Sequence, residues 1–341
     1  MAEASPTPAP PAALPTETLG LGALVLGMMA FATWDQWAIW STKQDYTFGY
    51  LVPAFSLYVL WERWDGLRPL LSGDVTVPGT PSRAWLKGTA RALTMACLLA
   101  FGLGAAWRAI FGTGTVATMA IACGLMGCFL GFAFLSARGI GGAEPSGPAR
   151  WKALGLCLFP AAIWIVSGPF LYVVDNQIKG PLLEFVTEVV AGLLRITGHA
   201  VHVRGNLIAF SNGEQVGIAD ACSGIRSLSA CVFVGAFLGS LWIEGRFPGA
   251  LIRRILMIGV SALAAVALNI ARNTYLSLHA EAHGAASLDR DFAGLEPGQA
   301  GFSSLGTVHD LAGNTAMFAT FLVLLACVPL INRLGSSRDP A

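Results

Sequence analysis

Three side chains in the second half of this 341-residue chain have the makings of nucleophilic chemistry: Cys222, Arg272 and His309. Cys222 lies in Ala221-Cys222-Ser223-Gly224-Ile225-Arg226-Ser227-Leu228, where a polar, turn-broken stretch gives way to an apolar run. A thiol at the start of a helix feels the positive end of the helix dipole, and the Arg226 guanidinium one turn on adds to it. Both favour the thiolate, the form that attacks carbonyls. Asp220 opposes both, and a cysteine buried for packing alone is the competing reading. Asn269 and Arg272 are three apart in Asn269-Ile270-Ala271-Arg272-Asn273 and share a helix face near the end of the next apolar run. An arginine in an apolar span is costly, and its default reading is functional. Snorkelling to the headgroups is the alternative, but the asparagine one turn below has no part in snorkelling. His309 and Asp310 open the last apolar run, within the stretch Gly306 to Gly313. A histidine at a helix N-terminus is disfavoured as a cation, so it stays neutral and able to accept a proton. A thiolate, a neutral imidazole and a fixed cation are the parts of a thiol acyl transfer. The thiol attacks, the imidazole moves protons and the guanidinium steadies the tetrahedral oxyanion.

The elements that must hold these groups are apolar. Hydrophobic residues make up 55 % of the chain and charged residues 12 %, roughly half the charged share of a soluble domain. With several apolar runs near span length, the composition is that of a polytopic membrane protein. The net charge of +1 says nothing about nucleic acid, and no basic patch with interleaved aromatics occurs, so no nucleic-acid partner is expected. Of the seven cysteines, Cys97, Cys123, Cys128, Cys157, Cys231 and Cys327 fall inside apolar runs, where cysteine is a small packing residue. Cys222 is the exception. No H-E-x-x-H or comparable ligand spacing occurs, so neither a metal nor a cofactor is expected.

Residues 1–17, rich in Pro and Ala, read as a disordered tail; residues 18–334 read as one polytopic domain and 335–341 as a C-terminal tail. No charged segment precedes the first apolar run, so a cleaved signal peptide is not expected. The spans predicted are eight, at about 19–40, 46–61, 92–111, 115–136, 153–174, 225–243, 255–276 and 312–331. Basic loops at 62–91, 138–152 and 244–254, with the C-terminus, hold thirteen of the 21 lysines and arginines. That bias makes their side cytoplasmic. Cys222, Arg272 and His309 then face the periplasm or exterior from a cytoplasmic (inner) membrane. Before the cysteine, residues 181–196 start at Pro181 and carry the stripe Leu182, Val186, Val189, Val190 and Leu193. This reads as an interfacial amphipathic helix, with a plain packing helix as the alternative. Gly205-Asn206 and Asn212-Gly213 then punctuate a small β-meander. The fold class expected is an all-α integral membrane protein of about eight transmembrane helices, with this small outer segment before Cys222.

The three motifs, in this order, resemble the exosortase/archaeosortase family. Ala221 to Leu228 opens one span, Asn269-Ile270-Ala271-Arg272 lies near the end of the next, and His309-Asp310-Leu311-Ala312-Gly313 opens the last. The resemblance covers about residues 35–331. It takes in Trp40, the stretch Asp45 to Pro53 and Trp61-Glu62-Arg63, similar to the family's first outer loop and second span. It implies a multi-pass membrane cysteine peptidase/transpeptidase that cleaves C-terminal sorting signals of secreted proteins. Cys222 would be the nucleophile, Arg272 the transition-state arginine and His309 the acid/base, supported by Ser223, Gly224, Arg226, Asn269 and Asp310. The substrates implied are secreted proteins with a short C-terminal motif, one transmembrane helix and a basic tail. An amine on a lipid or surface polymer, or water, would resolve the thioester. Phe48 stands where a histidine is common in the family, so that position adds no imidazole here. The loop between Arg272 and His309 is longer than usual, which bears on specificity, and no soluble domain fused at the C-terminus is expected. Two other readings are a lipid-directed acyltransferase using the same three residues and a polytopic transporter with Arg272 in its substrate path. Against the transporter, the polar groups gather at one face rather than the midplane, and no inverted repeat is evident.

Overall fold

A computed structural model describes residues 13–218, 225–243, 245 and 249–334, leaving aside the side chains at 44–45, 169–175 and 225–226. In chain order its α-helices are α1 (Thr16–Thr42), α2 (Val52–Glu62), α3 (Trp64–Ser72), α4 (Ala84–Phe111), α5 (Thr115–Ser136), α6 (Gly147–Val166), α7 (Pro169–Ile196), α8 (Ile225–Trp242), α9 (Gly249–His283) and α10 (Val308–Arg333). Six of them, α1, α4, α5, α6, α9 and α10, are long and apolar enough to cross a membrane. The chain is therefore an all-α membrane protein carrying a small sheet, but among the described residues six helices, not the expected eight, meet this measure. With 11 residues, α2 extends only about 17 Å, short of a hydrocarbon core of about 30 Å. The apolar part of α8, Ser227–Trp242, is also shorter than a full span.

The chain divides into two compact units, one of residues up to Thr42 with Gly49–Phe170, the other of Lys43–Phe48 with the rest from Leu171. In the first unit α4 and α5 touch along Gly124, Gly127 and Gly131. A β-carbon at Gly124 would lie 2.7 Å from the Cys97 carbonyl oxygen, so only a bare backbone permits this approach. Pro160 inside α6 has no N–H for the Leu156 carbonyl. Arg63 Nη1 donates to that carbonyl instead, at 2.9 Å. The basic stretch expected to be a loop without periodicity contains α3 and the first turns of α4. Leu67, Leu70 and Leu71 of α3 are buried at helical spacing, a stripe obscured in the sequence by Gly66 and Pro69.

In the second unit α7 is one 28-residue helix with Pro181 inside it, so the helix expected to begin at Pro181 starts twelve residues earlier. Its Val186, Val190, Ala191 and Leu194 are buried with Val201, Ile208, Phe210 and Val216 of the sheet and with Ile218 just after it. That is the packing-helix alternative, and Leu193 of the expected stripe is exposed. The sheet is the meander expected: β1 (Val201–Arg204), β2 (Leu207–Phe210) and β3 (Gln215–Gly217) pair antiparallel in sequence order. Gly205 at φ 62° and Gly213 at φ 90° occupy the turns, where a β-carbon would be strained. Beyond the sheet, α8, α9 and α10 pack together. Gly235 meets Ser261 and Gly239 meets Met257, an antiparallel approach set by two small residues one turn apart. At one end of this bundle Asn332 Nδ2 donates to the Trp242 carbonyl at 2.8 Å, and Arg254 Nε to the Gly239 carbonyl at 3.2 Å. The sheet lies at the other end. Its β2–β3 turn holds the C-terminus of α9, with Asn212 Nδ2 donating to the Glu281 carbonyl at 2.9 Å. Glu214 Oε2 accepts from the Ala285 N–H just beyond α9 at 2.8 Å.

Candidate active site

One face of α9 buries Met257, Ser261, Ala265, Asn269, Asn273 and Ser277, a residue every fourth position. The lower part of this stripe packs on α8 through small side chains. Its upper part is polar: Asn269 and Asn273 are each only 4 % exposed. Arg272 stands beside them on the flank toward α10. There the guanidinium lies against Gly313: a β-carbon on that glycine would sit 3.4 Å from Arg272 Nη2 and 3.5 Å from its Cζ. Arg272 Nε is buried and has no hydrogen-bond partner. Such a group is expensive unless it serves a ligand or a transition state.

His309 is on α10 one helical turn before Gly313, so both lie on the side that meets α9. The first turn of α10 is built by Thr307, whose buried hydroxyl caps the helix by accepting from the Asp310 N–H at 3.1 Å. The half-buried His309 imidazole is within electrostatic range of the Arg272 guanidinium and of the Asp289 and Asp310 carboxylates. Asp289 ends a 3-10 turn, Ala285–Asp289. Leu288 of that turn is buried with Leu276 and Ala280 of α9, and Val308 of α10 packs against the same cluster. The loop that follows is organised by Asp291, whose carboxylate accepts from the N–H groups of Ala293, Leu295 and Ser303.

Of the expected site residues, Arg272, Asn269, His309 and Asp310 thus come together at the sheet end of the α8–α9–α10 bundle. Cys222, Ser223 and Gly224 lie outside the described residues, as does the side chain of Arg226. The remaining histidines have other surroundings. His199 Nδ1 is 2.5 Å from Glu281 Oε2, while His279 and His283 stack at 4.4 Å near the end of α9. Gly313, Asn273, Thr307 and Asp289 join Arg272 and His309, and none has a role assigned by the sequence alone. Asn273 repeats Asn269 four residues on, a spacing visible in the sequence. Gly313 belongs to the motif that opens the last span. Thr307 and Asp289 act through tertiary placement and carry no pattern of their own.

The mean hydropathy of +0.63, the six apolar helices and the paired motifs on α9 and α10 agree with one family. The family model described as "Transmembrane exosortase" matches residues 40–327 of the 341-residue chain, so it takes in the sheet and the α8–α9–α10 bundle with the residues gathered there. No curated protein and no solved structure matches the chain. The match spans both units and includes every residue placed at the site, and on it the chain belongs to the transmembrane exosortase family.

Proposed function

We propose that this protein is a membrane cysteine transpeptidase that cleaves the C-terminal sorting signals of secreted proteins through a thioacyl intermediate on Cys222. The observation that carries the reading is the Arg272 guanidinium resting on Gly313, one turn from His309, with its Nε buried and unpartnered. The family match supports a membrane transpeptidase role. The register of α8 on α9 adds to it. Gly239 meets Met257 and Gly235 meets Ser261. Two further turns of the same pairing bring the start of α8 to the level of Asn269, and Cys222 precedes that start by three residues in sequence.

In this reaction the Cys222 thiolate attacks the scissile carbonyl carbon, and the carbonyl π electrons move to oxygen. The Arg272 guanidinium donates to that oxyanion. His309, protonated when it takes up the thiol proton, returns it to the departing amine nitrogen as the C–N bond breaks and the thioester forms. An amine acceptor on a lipid or surface polymer, or water, then gives a proton to His309 and attacks the thioester, releasing the thiolate. Ser223, Gly224 and Arg226 would shape the start of α8 around the thiol, with Arg226 favouring the thiolate by its charge. The substrate would present its motif at the outer face of a cytoplasmic membrane and lodge its own helix among the spans.

The test replaces Cys222 by Ala in a cell that makes a tagged sorting-signal substrate. Uncleaved substrate should accumulate while the enzyme inserts at the parental level. Replacing the other six cysteines together should leave most activity. Full processing by Cys222→Ala would end the thiol reading.

A further inference from the structure

A second polar feature lies within the first unit. Asp35 of α1 is fully buried and pairs with Arg108 in the last turn of α4, Nε to Oδ1 at 2.8 Å. The Arg108 guanidinium also lies over the Trp34 ring, 4.5 Å from its centroid. Held from two sides in this way, its plane is fixed. Among the described residues Nη1 and Nη2 of Arg108 donate no hydrogen bond. Arg108 lines a groove of about 640 Å³ together with Thr33, Trp34, Trp37 and Ser41. Trp34 and Trp37 are each more than half exposed there, and Trp37 is steadied edge-on against Tyr50 at 4.8 Å. One turn before Ala30, toward the middle of α1, the same helix face carries exposed Leu26.

We propose that this groove binds the phosphodiester of a membrane phospholipid. A guanidinium with both terminal nitrogens free presents a fork of donors matched to two phosphate oxygens. A lone ammonium would not, and an uncharged polar ligand would not repay the desolvation of that fork. The buried Asp35 fixes the arginine without occupying the edge that faces outward. Indole rings beside the cation are the side chains that sit at the headgroup level of a bilayer. Ala30 and the exposed Leu26 on the same face of α1 give the acyl chains a surface to follow. The size falls within the range of sites for small molecules, about 300–1,000 Å³. Asp35, Trp34 and Trp37 precede the family match, which begins at residue 40, so the site belongs to this chain's own first helix.

The experiment titrates the full chain, purified in detergent and stripped of lipid, and follows bound lipid by native mass spectrometry. The probes are phosphatidylethanolamine, a diacylglycerol with the same chains, and inorganic phosphate. Phosphatidylethanolamine should bind at least tenfold more tightly than diacylglycerol. Displacement by millimolar inorganic phosphate would make the phosphate group alone sufficient, and no displacement would assign the site to the whole lipid. Arg108→Gln alone would strand the buried carboxylate, so the pair is replaced as Asp35→Asn with Arg108→Gln. That protein, melting and eluting as the parent does, should bind the phospholipid no better than diacylglycerol. Should it fail to fold, Arg108→Lys decides, since lysine keeps the pairing with Asp35 but loses the fork; affinity should fall at least fivefold. Equal binding of the two lipids by the parent, or parental affinity in the folded variants, overturns the proposal.

Discussion

Two arginines, one in each unit, do opposite things with their donors, although each buries its Nε. In the first unit Arg150 is 5 % exposed. Its Nη1 donates to the carbonyls of Phe134 and Leu135 at the end of α5, at 2.8 and 3.3 Å, and its Nη2 to Glu144 at 2.9 Å. It closes a helix whose last carbonyls would otherwise lack partners. In the second unit Arg272 donates no hydrogen bond to a protein group among the described residues and lies against the bare backbone of Gly313. Both leave Nε without an acceptor, so the difference lies in the terminal nitrogens. Donors that are spent on carbonyls join two helices. Donors that are left unspent remain available to a bound ligand and, in the reaction proposed, to its transition state. The two regions thus show that the burial of a charge says little until its partners are counted.

The comparison breaks most sharply at Arg272→Lys. An ammonium cannot present the planar fork, and loss of one oxyanion donor costs on the order of 2.7–4 kcal/mol, a hundred- to thousandfold in rate. Single-turnover cleavage of a tagged substrate in membranes, at matched enzyme levels, should fall by that much while insertion is normal. Turnover within a few-fold of the parent would return Arg272 to simple snorkelling.

Gly313→Leu is the next largest. A β-carbon alone arrives at ordinary contact distance from the guanidinium, so Gly313→Ala should cleave within about threefold of the parent. The longer leucine must displace the guanidinium, and a shift of about 1 Å is worth roughly a hundredfold. If both variants behave alike, the glycine is not what holds Arg272.

At Arg150 the loss should appear in stability instead. Arg150→Ala strands two helix-end carbonyls, costing about 2 kcal/mol. Little of that comes from Glu144, whose side chain is 43 % exposed and screened by solvent. The melting temperature in detergent should drop, and cleavage per folded molecule should stay within about twofold.

The smallest effect is a pH dependence at the same place. Hydrogen bonds from Arg150 and Lys87 hold the Glu144 carboxyl below the usual carboxylate range. Its contribution is therefore present above the unfolded value of about 4.3 and is lost as pH falls through the lower folded value. Glu144→Gln should remove this acid step from a melting-temperature profile, by less than about 1 kcal/mol. An unchanged profile would mean that Arg150 relies on its carbonyls alone.

What could be read in advance follows a simple division. Elements marked by unbroken apolarity or by glycine turns were legible: α5 runs over the expected residues 115–136, and the meander turns at both predicted glycine pairs. Two elements whose internal proline stands among polar or glycine residues were not, whereas Pro329 inside the unbroken apolar run of α10 did not hide that helix. Pro69 hid α3, and Pro181, with the polar run Asp175 to Lys179, made one helix read as a span, a loop and a second helix. Such prolines are tolerated because neighbouring groups take up the freed carbonyls, as Arg63 does for Leu156, and those neighbours are distant in sequence. At the candidate site the charged residues stood out because charge is rare in these spans. Gly313 did not, because its importance lies in an absent side chain and in an arginine 41 positions away.

The length of α9 sets a vertical scale for whatever chemistry occurs beside it. Its 35 residues extend about 52 Å, well beyond a hydrocarbon layer of about 30 Å. Arg272 comes after 23 residues, about 35 Å along the axis, and the remaining turns are strapped to the sheet by Asn212 and Glu214. Such a helix works as a gauge: it fixes the height of its guanidinium above the layer in which its lower turns are embedded. A peptide anchored by its own span would be measured against that height. Lengthening or shortening the spacer between span and motif, or thickening the bilayer, would move the scissile bond past the reading point with every contact at the site unchanged.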